Sequence, residues 1–333
     1  MRIIWQMRIG ISALLLAFGA WAGTAGDLAE TVRTGLRTHR LDSEIATAVS
    51  QANLTERPDD TLIEKLEWEG AGPLTIGALE RLRDSDVPPA PSGEERDHAL
   101  EAARQTSLRY TAELPNFICT ETVRRYTTGK VFPPWNLRDT LTVEVAYADK
   151  GERYKLVAIN EKPTTKKISQ SGGFNSNGEF GSLLREIFEP ESAAVFTWER
   201  WTNLRGRLMH VFSYRIDLAH SKYSVNLNSF FKRYKGKFAM KGLVFVDRES
   251  NQVIRFSAEA DGLPANWPVL RTLGTVDYGL ADVGGQKYLL PQRVDTRIVL
   301  SSQQLRNVKE FGNYRKFSSE ASLTFEKTFE KQF

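Results

Sequence analysis

Histidines, one cysteine and a group of glutamates are the side chains able to do chemistry in this 333-residue chain. His39, His98, His210 and His220 stand far apart, and none is matched with a second His or a Cys at metal-ligand spacing. His210 alternates with Phe212 and Tyr214, which marks a position on the wall of a strand rather than a catalytic base. Cys119 lies in the apolar, strand-like run Phe117-Ile118-Cys119-Thr120, the setting of a buried and inert thiol. Being the only cysteine, it can form no disulfide within the chain. The sequence holds no Gly-x-Ser-x-Gly elbow and no glycine-rich, lysine-bearing phosphate loop; Ser171–Gly178 is a flexible approach to a helix. Glu186, Glu189 and Glu191 are close enough to imitate a paired-carboxylate site, but acids around a helix end are ordinarily solvated. These patterns point away from an enzyme, and neither a cofactor nor a metal is expected.

Two patterns suit binding instead. Phe180, Leu184 and Phe188 share one helical face, while Phe196, Trp198, Phe212 and Tyr214 crowd onto neighbouring strands. Together they would line a concave apolar wall for an acyl chain or another amphipathic ligand, or form ordinary core. The second pattern lies between Asp217 and Asp247, where Lys222, Lys232, Arg233, Lys235, Lys237 and Lys241 occur without a single acid. Tyr223, Phe230, Phe231, Tyr234 and Phe238 are interleaved with them. A basic, aromatic hairpin of this kind suits docking on anionic headgroups with the rings at the interface. It equally suits an edge strand guarded by lysines against aggregation.

The elements that must position these residues are mostly strands. Leu243–Asp247, Val253–Glu259, Thr275–Ala281 and Tyr288–Leu300 alternate apolar with polar residues, so each has one face buried and one face wet. Val276, Tyr278 and Leu280 form the apolar face of one of them. Gly284–Gly285 between two such runs reads as a tight hairpin, since glycine readily takes the positive φ of a primed turn. Leu243-Val-Phe-Val246 is continuous rather than alternating and predicts a strand covered on both faces. A helix over Phe180–Phe188, stopped by Pro190, would fill the curve of the sheet. Upstream, Leu41, Ile45, Ala48 and Val49 fall on one helical face, as do Ile76, Leu79 and Leu82, and the two halves of 27–86 look like a weak repeat of helical hairpins. Residues 87–93 form a proline-rich linker, after which Ser92 and Glu95 offer a capping box for a helix over 93–111.

Arg2 and Arg8, the apolar run Ile9–Ala20 and small-residue sites at Ala22 or Ala25 together form the layout of a secretory signal peptide over 1–25. That apolar run is short for a membrane span, and no later stretch approaches the ~20 apolar residues one requires. Removing the leader takes the net charge from +4 to +2, so neither charge nor compartment favours a nucleic-acid partner. No cysteine stands near the cleavage region, so the mature protein is expected to be exported, soluble and not lipidated.

Gly242-Leu-Val-Phe-Val-Asp-Arg-Glu-Ser-Asn-Gln-Val-Ile-Arg-Phe256 and Tyr288-Leu-Leu-Pro-Gln-Arg293 resemble a hairpin and a late strand of the periplasmic lipoprotein-carrier superfamily, the LolA/LolB-like half-open β-barrels. Gly178-Glu-Phe-Gly-Ser-Leu-Leu-Arg-Glu-Ile-Phe188, taken with 243–300, is similar to a group of exported bacterial proteins of unassigned function. The resemblance covers about 115–326 and implies an α+β fold: a curved antiparallel sheet wrapped on a helix, over 94–333, preceded by the small helical module. In that superfamily the concave face receives acyl chains and the inner helix serves as a lid. It therefore implies a lipid, a lipoprotein or another amphipathic envelope component as ligand. An anionic membrane surface at Lys232, Arg233, Lys235 and Lys237, and a protein partner for the N-terminal helices, complete the expected contacts. The alternative is a non-enzymatic structural or interaction module of the envelope.

Overall fold

A computed structural model describes residues 22–128, 135–148, 151–174, 178–228 and 233–317, which fall into two compact units divided after Arg83. The expected signal peptide lies almost wholly outside the described residues.

The first unit contains the helices α1 (Ala25–Arg37), α2 (Asp42–Ser50), α3 (Asp60–Glu69) and α4 (Pro73–Arg83). A two-residue parallel pair, β1 (Ala22–Gly23) with β2 (Asn53–Leu54), ties its start to the middle. Leu28, Val32, Ile45, Val49, Ile63, Leu66 and Leu79 meet in its core, which is the packing that amphipathic stripes demand. Leu41, expected on the stripe of α2, is 66% exposed because the helix begins at Asp42 and leaves Leu41 at the cap. Caps do much of the joining. Thr24 and Asp27 form a reciprocal capping box on α1, and the Asp42 carboxylate accepts from the backbone N–H groups of Leu74 (2.8 Å) and Thr75 (3.1 Å). The first residue of α2 thus caps α4.

The second unit opens with a strap. Asp84 accepts from the Asn203 N–H (2.8 Å) and the Thr202 hydroxyl (2.6 Å), and the Trp201 indole donates to the Pro89 carbonyl (2.9 Å). The proline-rich stretch is therefore fastened to a strand rather than hanging free. Ser92 then caps α5 (Gly93–Glu113) through the Glu95 N–H (3.1 Å), and Glu95 itself turns to Arg248 at 3.3 Å.

The strands that follow are β3 (Phe117–Thr128), β4 (Asn136–Ala148), β5 (Gly151–Ile159), β6 (Lys162–Pro163), β7 (Val195–Leu204), β8 (Arg207–Ile216), β9 (Ser224–Asn228), β10 (Arg233–Lys237), β11 (Ala239–Asp247), β12 (Val253–Asp261), β13 (Val269–Val283), β14 (Gln286–Leu300) and β15 (Gln304–Lys316). Eleven of these make one antiparallel sheet in the order β6-β5-β4-β3-β15-β14-β13-β12-β11-β8-β7, while β9 and β10 pair separately. The late strand β15 returns to β3 and joins the early meander to the late one, and the terminal strands β6 and β7 do not pair with each other. The result is the α+β, curved and unclosed sheet expected from the alternating runs. The short helix α6 (Ser182–Phe188) lies on its apolar face.

Local signals set the details. Gly284 (φ 64°) and Gly285 (φ 88°) make the two-residue turn between β13 and β14. The β13/β14 register slips between Asp277 and Tyr278, and beyond the slip Ala281 and Val283 join the core. Leu280, expected inside with Val276 and Tyr278, is turned out and 66% exposed. Val244 and Val246 face the main core, while Phe245 packs with Leu204, Met209 and Ile254 on the other side, so this strand is covered on both faces as its continuous run predicts. Gly242 is held to glycine by close approach: a Cβ there would stand 1.9 Å from the Ser257 carbonyl oxygen. Gly242→Ala should therefore push β11 from β12 and cost about 1–3 kcal/mol, read as a lower urea midpoint. An unchanged midpoint would mean that the two strands part freely here.

Candidate functional site

The site is built where α6 meets the concave face. Its seven residues are too few to hold a helix by hydrogen bonding alone, so tertiary contacts must supply the stability. Gly178 (φ 92°) and Gly181 (φ 135°) turn the chain sharply into it. Phe180, expected as its first residue, sits in that turn instead and wedges between Phe117 (ring centroids 5.4 Å apart) and Phe311 (5.1 Å). Leu184, Ile187 and Phe188 are buried, and Phe188 stacks on Phe196 at 5.4 Å, with Tyr214 6.2 Å beyond. Phe180, Leu184, Phe188, Phe196, Phe212 and Tyr214 thus converge in one apolar cluster between helix and sheet.

Trp198 packs against the same cluster. It pairs in register with Phe212, the ring of Trp201 lies beside it (6.0 Å), the Arg96 guanidinium of α5 covers its ring (4.7 Å), and its indole donates to His210 Nδ1 (3.2 Å). Burial pushes the His210 imidazole down to about 4, so it stays neutral as part of the wall. Burial also pushes the Cys119 thiol well up, which leaves it protonated and inert.

Polar groups fasten both ends of α6. At its C-terminal end, Arg104 donates to the Phe188 carbonyl (2.8 Å), the Lys222 N–H donates to the Glu186 carboxylate, and the Lys222 ammonium pairs with Glu189. Glu186 is buried, not solvated as its position beside a helix end suggests, and burial raises its carboxyl above the usual range.

At the N-terminal end the Glu152 carboxylate accepts from the N–H groups of Gly178 (2.9 Å) and Phe180 (3.1 Å) and from the Tyr154 hydroxyl. Glu179 reaches the other way, to the Lys309 ammonium (2.9 Å), which also holds Glu121 (3.0 Å), and Tyr278 donates to the Glu179 carbonyl (2.9 Å). Glu121, Glu179 and Lys309 are all buried. Burial works against the Lys309 charge, but the two carboxylates outweigh it and hold the ammonium above its ordinary value. Burial lifts the Glu121 carboxyl, in part offset by Lys309. This ionic group escaped the motif reading, although Glu121 carried a signal: it breaks the apolar alternation of Phe117, Cys119 and Val123 on β3.

The basic hairpin is arranged differently from expectation. Lys235 and Lys237 are exposed, but Tyr234 and Phe238 pack inward on Trp267 (5.9 and 5.0 Å) beside Leu227 and Val225. Strand alternation places every second residue of β10 against the core, so its described rings are not offered to a surface. Arg233 begins β10, whereas Lys232, Phe230 and Phe231 lie outside the described residues.

Removing one member of the buried ionic group tests its role. Lys309→Met should destabilise the protein by about 3–5 kcal/mol at neutral pH, because it removes the ammonium that two buried carboxylates share. Adding Glu121→Gln should recover part of that loss in chemical denaturation; a double variant no more stable than the single one would deny the coupling.

No protein-family model and no curated protein matches the chain. Among solved structures it is similar to a LolA superfamily protein from Nitrosomonas europaea, at 12% identity and a TM-score of 0.36, over 68% of this chain and 96% of that one. A putative outer membrane lipoprotein-sorting protein domain from Vibrio parahaemolyticus is similar at 10% identity and a TM-score of 0.38, over 69% and 98% of the two chains. The lipoprotein LppX of Mycobacterium tuberculosis is similar at 15% identity and a TM-score of 0.25, over 64% and 94%. The chain's own strand order, with β6 and β7 as unpaired ends, has the half-open arrangement that the resemblance implied.

Proposed function

We propose that this is an exported, non-enzymatic binding or carrier protein for a lipid, a lipoprotein or another amphipathic component of the cell envelope. The observation that carries the reading is how the concave face is covered. A curved, unclosed sheet turns Phe196, Phe212 and Tyr214 inward, and a seven-residue helix reached through two positive-φ glycines covers them. A short element fastened at its ends can leave an apolar face without breaking the sheet beneath it. The ligand would take the place of Phe180, Leu184 and Phe188 against that wall. Export is supported by the leader-like start of the sequence, and among the described residues no helix is long and apolar enough to cross a membrane. Native mass spectrometry of protein purified from its own periplasm should find co-purified lipid, and fluorescent fatty acids should bind the stripped protein. Neither lipid nor fatty-acid binding would end the carrier reading.

In this reading the hairpin β9–β10 meets anionic headgroups through charge alone, because its described rings face the core. Binding to anionic vesicles should be weak, salt-sensitive and lost when Lys232, Arg233, Lys235 and Lys237 are changed to Ser. Equal binding by that variant in a vesicle sedimentation assay would assign the lysines to edge protection instead.

A second reading, a structural or protein-interaction module, draws on the first unit. There a groove of about 390 Å³ runs between α2 and α4, lined by Ala46, Thr47, Ser50, Leu74, Gly77 and Arg81 among others. This reading gains if the lipid experiments fail.

A further inference from the structure

Tyr154, Tyr214, Tyr278 and Tyr314 pack in or against the main core, and each hydroxyl donates to a protein oxygen. Tyr154 bonds the Glu152 carboxylate, Tyr214 the Ser257 carbonyl (2.8 Å), Tyr278 the Glu179 carbonyl (2.9 Å) and Tyr314 the Pro291 carbonyl (2.6 Å). This is the ordinary arrangement, because a buried donor without an acceptor costs free energy. Tyr110 of α5 departs from it. Its oxygen is enclosed and has no hydrogen-bond partner among the described residues. Burial, and after it the neighbouring Tyr147 and Glu152, raise the phenol well above its ordinary range, so the group is a neutral donor.

Tyr110 belongs to the surroundings of Phe180. Its ring meets Tyr278 edge-on at 6.1 Å, and Tyr278 bonds the backbone of Glu179, the residue before Phe180. Tyr147, close enough to act on the Tyr110 phenol, stacks on Phe117 at 5.2 Å, and Phe117 lies 5.4 Å from Phe180. Glu152, which also acts on that phenol, accepts from the Phe180 N–H (3.1 Å). The open donor therefore borders the place that Phe180 fills.

We propose that the Tyr110 hydroxyl is the hydrogen-bond donor for an ester carbonyl of a bound acyl lipid, received where Phe180 sits when α6 covers the wall. The proposal rests on the carrier reading and names the polar anchor of its ligand. An acyl chain laid against Phe196, Phe212 and Tyr214, with its oxygen-bearing end at the Phe180 position, brings the carbonyl to Tyr110. A neutral acceptor suits that place, since a carboxylate would have to give up its water beside Glu152. The unmet hydroxyl costs stability in the covered, ligand-free state, and the arriving carbonyl recovers that cost on binding.

A pyrene-tagged alkane, its methyl ester and its free acid, titrated into the stripped full-length protein and into Tyr110→Phe, test this. Tyr110→Phe should weaken binding of the ester by about three- to tenfold and leave the alkane unchanged. It should also hold or raise the urea midpoint of the ligand-free protein, because it removes a buried donor that bonds nothing. A hydroxyl that served a buried structural water would lower that midpoint when removed, and this result overturns the proposal. So does equal affinity of the two proteins for the ester, an equal loss for ester and alkane, or a loss confined to the free acid. If Tyr110→Phe does not fold, the infrared carbonyl band of the ester bound to the wild type decides. It should lie at lower wavenumber than in hexane, and an unshifted band overturns the proposal. No binding of any probe ends the carrier reading and this proposal with it, whereas binding indifferent to Tyr110 ends this proposal alone.

Discussion

An antiparallel sheet that curves without closing has an apolar concave face to keep from water, and this single requirement organises the larger unit. Eleven strands end at β6 and β7 without meeting, so hydrogen bonding around a closed barrel does not seal the interior. Side chains must seal it. Phe180 between Phe117 and Phe311, and Phe188 stacked on Phe196, are where α6 does so. The exposed edge at β7 is managed by a different device: the strap from Asp84 to Pro89 satisfies Thr202, Asn203 and Trp201 at its far end.

A seven-residue helix cannot keep its place through its own backbone, and polar groups at both ends compensate. The C-terminal fastening uses Arg104 and Lys222, close to solvent. The N-terminal one is buried, with three carboxylates and one ammonium brought from β3, β5, β15 and the lead-in. Buried charges of this kind add little net stability compared with apolar packing, while breaking one is costly. Lys222 adds a link of its own, since it joins α6 to the chain just before the basic hairpin.

Much of this was legible along the chain, because burial on one face leaves a period in the sequence. The alternation of β11 to β14, the Gly284–Gly285 turn, the stripe of α6, the Ser92 cap and the continuous Leu243–Val246 run each record a local condition that the fold meets. The aromatic residues of the wall came from the same reasoning and do meet beside the helix, Trp198 packing against the same cluster. Cys119 and His210 were likewise legible as wall positions, and both are buried there.

Tertiary structure alone decided which distant residues share a site. Glu121, Glu152, Glu179 and Lys309 are separated by up to 188 positions from first to last, and only the pairing of β15 with β3 brings Lys309 to Glu121. No periodicity records such a partnership, because period reports the face a residue takes and not what stands opposite. Leu280, apolar and in phase with Val276 and Tyr278, nonetheless turns outward, and Ala281 and Val283 take the inner face instead. The rings of the basic hairpin turned inward because Trp267, which covers them, arrives about thirty residues later in the chain. Sequence alone determined the elements, their wet and dry faces and most of their turns; the register between strands decided the charges beneath α6, since electrostatic partnership in this fold is a long-range property.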